Sequence, residues 1–294
     1  MAAAAATAVA SDPKQYVADA VKKITALATL PEVTNKIIAT VEDPKASASS
    51  LHKIVAHDPA LVSRILKVVN SSFYGLPGQI GSIERAIVLL GLNAIKNIAV
   101  AASLGQMFRG VKLTEEFTAK DLWTHCIAVG VTAREIARLM KLPLADEAFL
   151  AGMIHDIGLL VSLQTAPEKL VHVCERAKNS KVSFVDLERE IMGMDHQQLG
   201  AALCEHWKFP RSCQLVAGYH HRPPLLSNEN RLLVTLVAVA DTLCCSENKG
   251  FNLTALNQKL EDTGMNDLGI DIIIVEHVRK QLPTLVSNSA SIFA

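Results

Sequence analysis

Apolar residues recur at three- and four-residue spacing along nearly the whole chain, and no run alternates strictly enough to mark a strand. The pattern predicts an all-α fold. Helices are expected over 14–28, 31–42, 48–56, 59–70, 82–90 and 93–107, and then over 119–140, 146–163, 166–178, 183–192, 196–206, 210–219, 229–246, 252–262 and 268–281. Pro31, Pro59 behind Asp58, and Ser82 ahead of an apolar-periodic run are start signals, because proline loses nothing at a first helical position. Gly75, Gly91 and Gly110 mark ends or bends. A drop in apolar content from Gly110 to Ala119 separates an N-terminal helical lobe, 14–112, from a second helical lobe, 113–285. An alanine-rich tail at 1–13 and a short tail at 286–294 flank them.

The loop at 71–81 carries Phe73 and Tyr74 among turn formers. Two readings stand for this pair: the rings pack beneath the loop, or they are an exposed contact for a protein partner.

Half of the 294 residues are hydrophobic, enough to fill the cores of two domains. Lys plus Arg equals Asp plus Glu at 29 each, so no long-range field draws in a polyanion and a nucleic-acid partner is disfavoured. MAAAAATAVA lacks the basic start and long apolar centre of a secretory signal. The apolar runs at 97–108 and 232–240 fall short of the roughly 20 residues of a membrane span. The expectation is a soluble, cytoplasmic protein without a membrane partner. Six cysteines form no C-x-x-C pair, which argues against both a disulfide framework and a structural zinc site built on cysteine.

Seven residues of the second lobe are metal-ligand types in apolar surroundings: His125, His155, Asp156, His196, His220, His221 and Asp241. His155 and Asp156 interrupt the buried-looking FLAGMIHDIGLL, where an unpaired polar group costs roughly 2–7 kcal/mol. One such histidine is an ordinary core residue; seven together suit divalent metal, with Asp156 able to bridge two cations. Mixed nitrogen and oxygen donors point to one or two ions of iron, manganese, zinc or nickel. Asp121 lies one helical turn before His125, either as an extra ligand or as a helix-start charge.

From about 27 to 226 the chain resembles the HDOD family, bacterial signal-output proteins related to the HD phosphohydrolases. The resemblance rests on LPEVTNKIIATVEDPKAS, IVAHDPALVSRILKVVNSSFYGL, SIERAIVLLGLNAIKNIAVA, LWTHCIAV, EAFLAGMIHDIGLL and GYHHRPP, in that order. It implies an N-terminal helical bundle packed on an HD-type lobe. By the same resemblance, His125 matches the first histidine of the superfamily and His155 with Asp156 the eponymous pair. His196, His220, His221 and Asp241 look like later ligands of the HD-GYP phosphodiesterases. Two departures count against such activity: Leu159 stands where H-D-I-G-K carries lysine, and RPPLLSNEN contains no Gly-Tyr-Pro segment. Arg222 offers a replacement charge or an ordinary loop arginine. The leading expectation is a regulatory module acting through a protein partner in a signalling pathway, with room for a nucleotide ligand. A metal-dependent phosphohydrolase or cyclic-nucleotide phosphodiesterase, in which His155 and Asp156 would be catalytic, is the alternative; a metal-free structural protein is the third.

Overall fold

The computed structural model describes residues 22, 32–41, 43, 45–108, 114 and 117–293. The 1–13 tail, nearly all of the helix expected at 14–28 and much of the expected lobe boundary lie outside the described residues. Among the described residues the protein is all-α, with no strand.

The first half contributes α1 (Glu32–Val41), α2 (Ala48–Val55), α3 (Pro59–Val69), α4 (Ile83–Leu90) and α5 (Leu92–Leu104), the last tightening into a 3₁₀ turn at Gly105–Phe108. Their starts follow the expected chemistry. Asp58 accepts from the Leu61 N–H at 2.9 Å with Pro59 behind it, and Ser82 accepts from Arg85 N at 3.3 Å.

The second half is α6 (Ala119–Leu139), α7 (Ala145–Ile154), α8 (Ile157–Thr165), α9 (Pro167–Lys178), α10 (Phe184–Met192), α11 (His196–His206), α12 (Arg211–Tyr219), α13 (Asn228–Ser246) and α14 (Ile272–Phe293). Helix α6 is the axis: α7, α13 and α14 pack on it, while α11 lies across α8 and α12. One apolar core runs from Ile37 on α1 through both halves to Leu253, and a second gathers α6, α7, α12, α13 and α14.

Glycines set the closest helix crossings. A Cβ on Gly152 of α7 would lie 2.7 Å from Gly130 Cα on α6, and one on Gly158 of α8 would lie 1.8 Å from the His196 carbonyl oxygen on α11. Backbones touch where no side chain intervenes, and those contacts carry the His155–Asp156 turn against its neighbours.

Three expectations are corrected. The helix expected at 146–163 is two helices, broken at His155 and Asp156. The stretch Ala145–Thr165 is the one described segment long and apolar enough to cross a membrane, a property the shorter runs noted above do not show; 89% of its 18-residue apolar window is buried inside the protein. The segment 252–262 is not an α-helix but a strap of turns ending in the 3₁₀ turn Leu260–Thr263. Gly250 (φ 76) starts the strap against α6, and Phe251, Leu253 and Ala255 are buried along it. Helix α14 passes through Pro283 and on to Phe293, where a stop and a tail at 286–294 were expected. Val275, Val278, Leu282 and Val286 keep helical spacing on one buried face across the proline, and their burial offsets the roughly 3 kcal/mol of an interior proline.

Phe73 and Tyr74 are half-buried and join the two halves. The Phe73 ring packs 5.2 Å from that of Phe149 and 5.0 Å, edge-on, from that of Tyr74, and the Arg134 guanidinium lies over both rings at 4.3 and 4.6 Å. Tyr74 donates to Asp146 Oδ1 at 3.1 Å, and Arg134 Nε donates to the same oxygen at 3.3 Å. The two rings therefore act as an internal strut between the halves, with part of each ring still exposed.

Candidate metal centre

The seven expected donors converge. His125 comes from the second turn of α6, His155 and Asp156 from the α7–α8 break, and His196 from the first residue of α11. His220 and His221 follow the end of α12, and Asp241 lies in the second half of α13. Six are fully buried, and the His221 side chain is 6% exposed.

All five imidazoles share one orientation. Nδ1 is turned outward to an oxygen: His125 donates to the Lys249 carbonyl at 3.1 Å, His155 to that of Gly152 at 2.8 Å and His220 to that of Val216 at 3.0 Å. His221 donates to Gln258 Oε1 at 3.0 Å, and His196 to Glu188 Oε2 at 2.6 Å. Those oxygens can only accept, so in its neutral, metal-binding form each ring carries its proton on Nδ1 and presents the Nε2 lone pair to the centre.

Facing those lone pairs are other acceptors. His125 Nε2 lies 3.0 Å from Asp241 Oδ1, and His155 Nε2 lies 3.3 Å from Asp156 Oδ2. The Nε2 atoms of His196 and His220 are each 3.3 Å from Asp156 Oδ1 and 3.3 Å from one another, with His221 Nε2 3.1 Å from His196 Nε2. Acceptors so placed repel unless positive charge sits among them. His155 Nε2, both Asp156 oxygens and Asp241 Oδ2 are buried without a hydrogen-bond partner, each at a cost of about 1–3 kcal/mol if left so. The donor set fits divalent cations.

Asp156 divides the cluster. Its Oδ2 belongs with His125, His155 and Asp241, among which donor separations run from 3.0 to 3.9 Å. Its Oδ1 belongs with His196, His220 and His221, and one ligand atom from each of these four residues lies within 4.8 Å of the others. The seven donors thus fall into two groups that share one carboxylate.

Charge in the pocket follows the same geometry. Burial opposes ionisation of Asp156, but His155, His220 and His196 outweigh it and hold the carboxyl well below its usual range. Burial likewise opposes ionisation of Asp241, which His125 and His155 hold low. Burial pulls His196 down, yet the Glu188 carboxylate and Asp156 push it up to about 9. Burial, with His220 and His196 beside it, drives His221 well below the ordinary imidazole range.

Asp121 serves the helix end. Its carboxylate accepts from the Thr118 N–H at 2.7 Å and hydroxyl at 2.6 Å, closing a capping box, so the expectation of an extra ligand there gives way to the helix-start reading. Leu159 is fully buried in the core and puts no charge beside the cluster. Arg222 pairs with buried Asp195 at 3.3 Å, as Arg189 also does. Glu188, Gln258 and Gln197, whose Oε1 accepts from His221 N at 3.2 Å, were not singled out from the sequence. Glu188 had a signal: in FVDLEREIM it shares the apolar face of Phe184 and Met192, four residues to either side.

A cleft of ≈ 280 Å³ reaches His221, lined by Lys181, Ser183, Arg222, Thr254 and Gln258 among others. A larger one, ≈ 620 Å³, lies between α5, the start of α7 and the start of α12 and contains none of the seven donors.

Comparison with known proteins gives a consistent result. The HDOD domain model matches residues 27–223. An uncharacterized protein of Treponema pallidum (strain Nichols) is 24% identical over 216 residues, 72% of this chain and 41% of the relative, so the chain spans well under half of that protein's length. An HDOD domain protein of unknown function from Geobacter sulfurreducens superposes with a TM-score of 0.77 at 20% identity, covering 96% of this chain and 99% of that one. A Shewanella amazonensis protein provisionally named a phosphohydrolase superposes with a TM-score of 0.70 at 20% identity, covering 94% and 98%. At these identities the superpositions establish a shared fold.

Proposed function

The chain belongs to the HDOD family, and on that premise we propose that it is a regulatory module of a signalling pathway, acting through a protein partner, whose buried pocket holds one or two divalent cations. The observation that carries the metal reading is the common orientation of five imidazoles, every Nδ1–H held outward and every Nε2 aimed at Asp156, Asp241 or one another. His125, His155, Asp156 and Asp241 would hold one cation; Asp156, His196, His220 and His221 the other. Bound there, metal supplies cross-linking: it ties α6, α8, α11, α12 and α13 at one point and adds folding free energy, because the site exists only in the folded chain. Iron, manganese, zinc and nickel suit the nitrogen and oxygen donors.

A regulatory rather than hydrolytic role is supported by what surrounds the donors. Leu159 is neutral and buried, and Arg222 is tied to Asp195, so neither offers a free cation to a phosphate. The test is turnover of phosphomonoesters and cyclic dinucleotides by metal-loaded protein. Hydrolysis at the background rate, unchanged by Asp156→Ala, is expected; robust turnover abolished by that substitution would overturn the proposal.

The cleft at His221 favours the second reading, a metal-dependent phosphohydrolase, because Lys181 flanks a route by which a nucleotide could approach the donors. There the cations would activate water for attack on phosphorus, and Gln258 would hold the His221 ring in place at the cleft floor. The same assay decides between the two.

A further inference from the structure

One buried donor beside the cluster is left unused by the shell of histidines and aspartates. We propose that Cys245 supplies a sulfur ligand to the cation held by His125 and Asp241, giving a mixed nitrogen, oxygen and sulfur site suited to zinc, cobalt or ferrous iron. The proposal rests on the metal reading of the pocket and goes beyond it.

Cys245 lies one turn after Asp241 on α13, on the same helix face. Its Sγ is 3.4 Å from Asp241 Oδ1, and one ligand atom from each of His125, Asp241 and Cys245 lies within 4.8 Å of the others, all three residues being buried. Metal–sulfur bonds of roughly 2.3 Å and metal–oxygen bonds of roughly 2.1 Å place two ligands of one ion about 3.5 Å apart, close to the separation found. The other cysteines of α6 and α13 do not share this position: Cys244 faces Thr132 Oγ1 at 3.5 Å, and Cys126 belongs to none of the ligand groups.

Charge makes the same case. Asp156 and Asp241 are the two carboxylates facing the centre, too few to neutralise two divalent ions in a buried site, where uncompensated charge is costly. Glu188, behind His196, adds a third negative charge. A Cys245 thiolate adds the fourth and balances the pair. As the metal–sulfur bond forms, the thiol proton is released to solvent. Thr254, whose Oγ1 lies 3.9 Å from the sulfur, also lines the cleft at His221 and connects the two.

The test is titration of metal-stripped, full-length protein with Co²⁺, reading cobalt content by elemental analysis and sulfur ligation by the near-ultraviolet thiolate-to-cobalt absorption. Wild type should develop that band in proportion to bound cobalt. Cys245→Ser should still bind cobalt but lose the band entirely, while Cys126→Ser and Cys244→Ser keep it. Cobalt bound without a sulfur band in wild type, or a band that survives Cys245→Ser, overturns the proposal and leaves the pocket reading intact. No cobalt bound at all overturns both. If Cys245→Ser fails to fold, X-ray absorption on the wild-type cobalt protein decides: a sulfur scatterer near the roughly 2.3 Å of a metal–thiolate bond supports the ligand, and a shell of nitrogen and oxygen alone rejects it.

Discussion

Glu188 Oε2 lies 2.6 Å from His196 Nδ1 and 3.1 Å from His196 N, so one buried carboxylate fixes both the ring and the start of α11. Burial raises its carboxyl, while His196 holds it down. Outer partners of this kind orient a ligand and raise its basicity, and losing one typically costs about 10–100-fold in metal affinity. Glu188→Gln keeps the shape and a hydrogen bond but removes the charge. Its zinc affinity, measured by chelator competition, should fall within that range while the fold survives. An unchanged affinity would mean that His196 needs no charged partner. The donors themselves were legible in the sequence as ligand types at apolar positions. Their outward supports were not, because three are backbone carbonyls, of Lys249, Gly152 and Val216, and a carbonyl leaves no trace in a sequence.

The elements put those residues in place through close crossings. On Gly158 a Cβ would meet backbone, the His196 carbonyl at 1.8 Å and Gly200 N at 2.7 Å, which no rotamer change relieves. Gly158→Ala must therefore separate α8 from α11, the two helices that bring Asp156 to His196. A loss of about 1–3 kcal/mol or more is expected from urea melts, together with reduced metal content. Gly81→Ala, with nothing within 4 Å of the added carbon, is the control and should melt like wild type. Helix starts were readable from Asp58 and Ser82 because caps are local chemistry. The break at His155 and Asp156 was not, since the neighbouring residues Ala151–Leu160 are apolar or glycine and read as continuous helix. The strap after Gly250 escaped for the opposite reason. Its apolar spacing mimics a helix, while its course is set by contacts with α6, including the Phe251 N–H donated to the Asp121 carbonyl at 3.1 Å.

Across the whole molecule the two halves are held by the shared core and by the strut of Phe73, Tyr74, Arg134 and Asp146. The strut is polar as well as aromatic: burial raises the Tyr74 hydroxyl's pKa well above its usual value, Asp146 pushes the same way, and Arg134 opposes them. Phe73→Ala removes the ring that meets Phe149, Tyr74 and Arg134 at once, and should cost about 2 kcal/mol or more in a thermal or urea melt. Tyr74→Phe should cost about 1 kcal/mol, the hydrogen bond to Asp146 alone. Variants that melt like wild type would show that the contact does not hold the halves together.

Metal should bear on the whole molecule through one point, since the pocket collects side chains from α6, the α7–α8 break, α11, α12 and α13. The most direct test is elemental analysis of purified protein beside Asp156→Ala, with the exposed His172→Ala as a control outside the cluster. The account predicts one or two first-row divalent ions per chain in wild type and in His172→Ala, almost none in Asp156→Ala, and a melting temperature that drops when a chelator strips the wild type. Wild-type protein with far less than one ion per chain, a content unchanged by Asp156→Ala and a melt indifferent to chelator would contradict it.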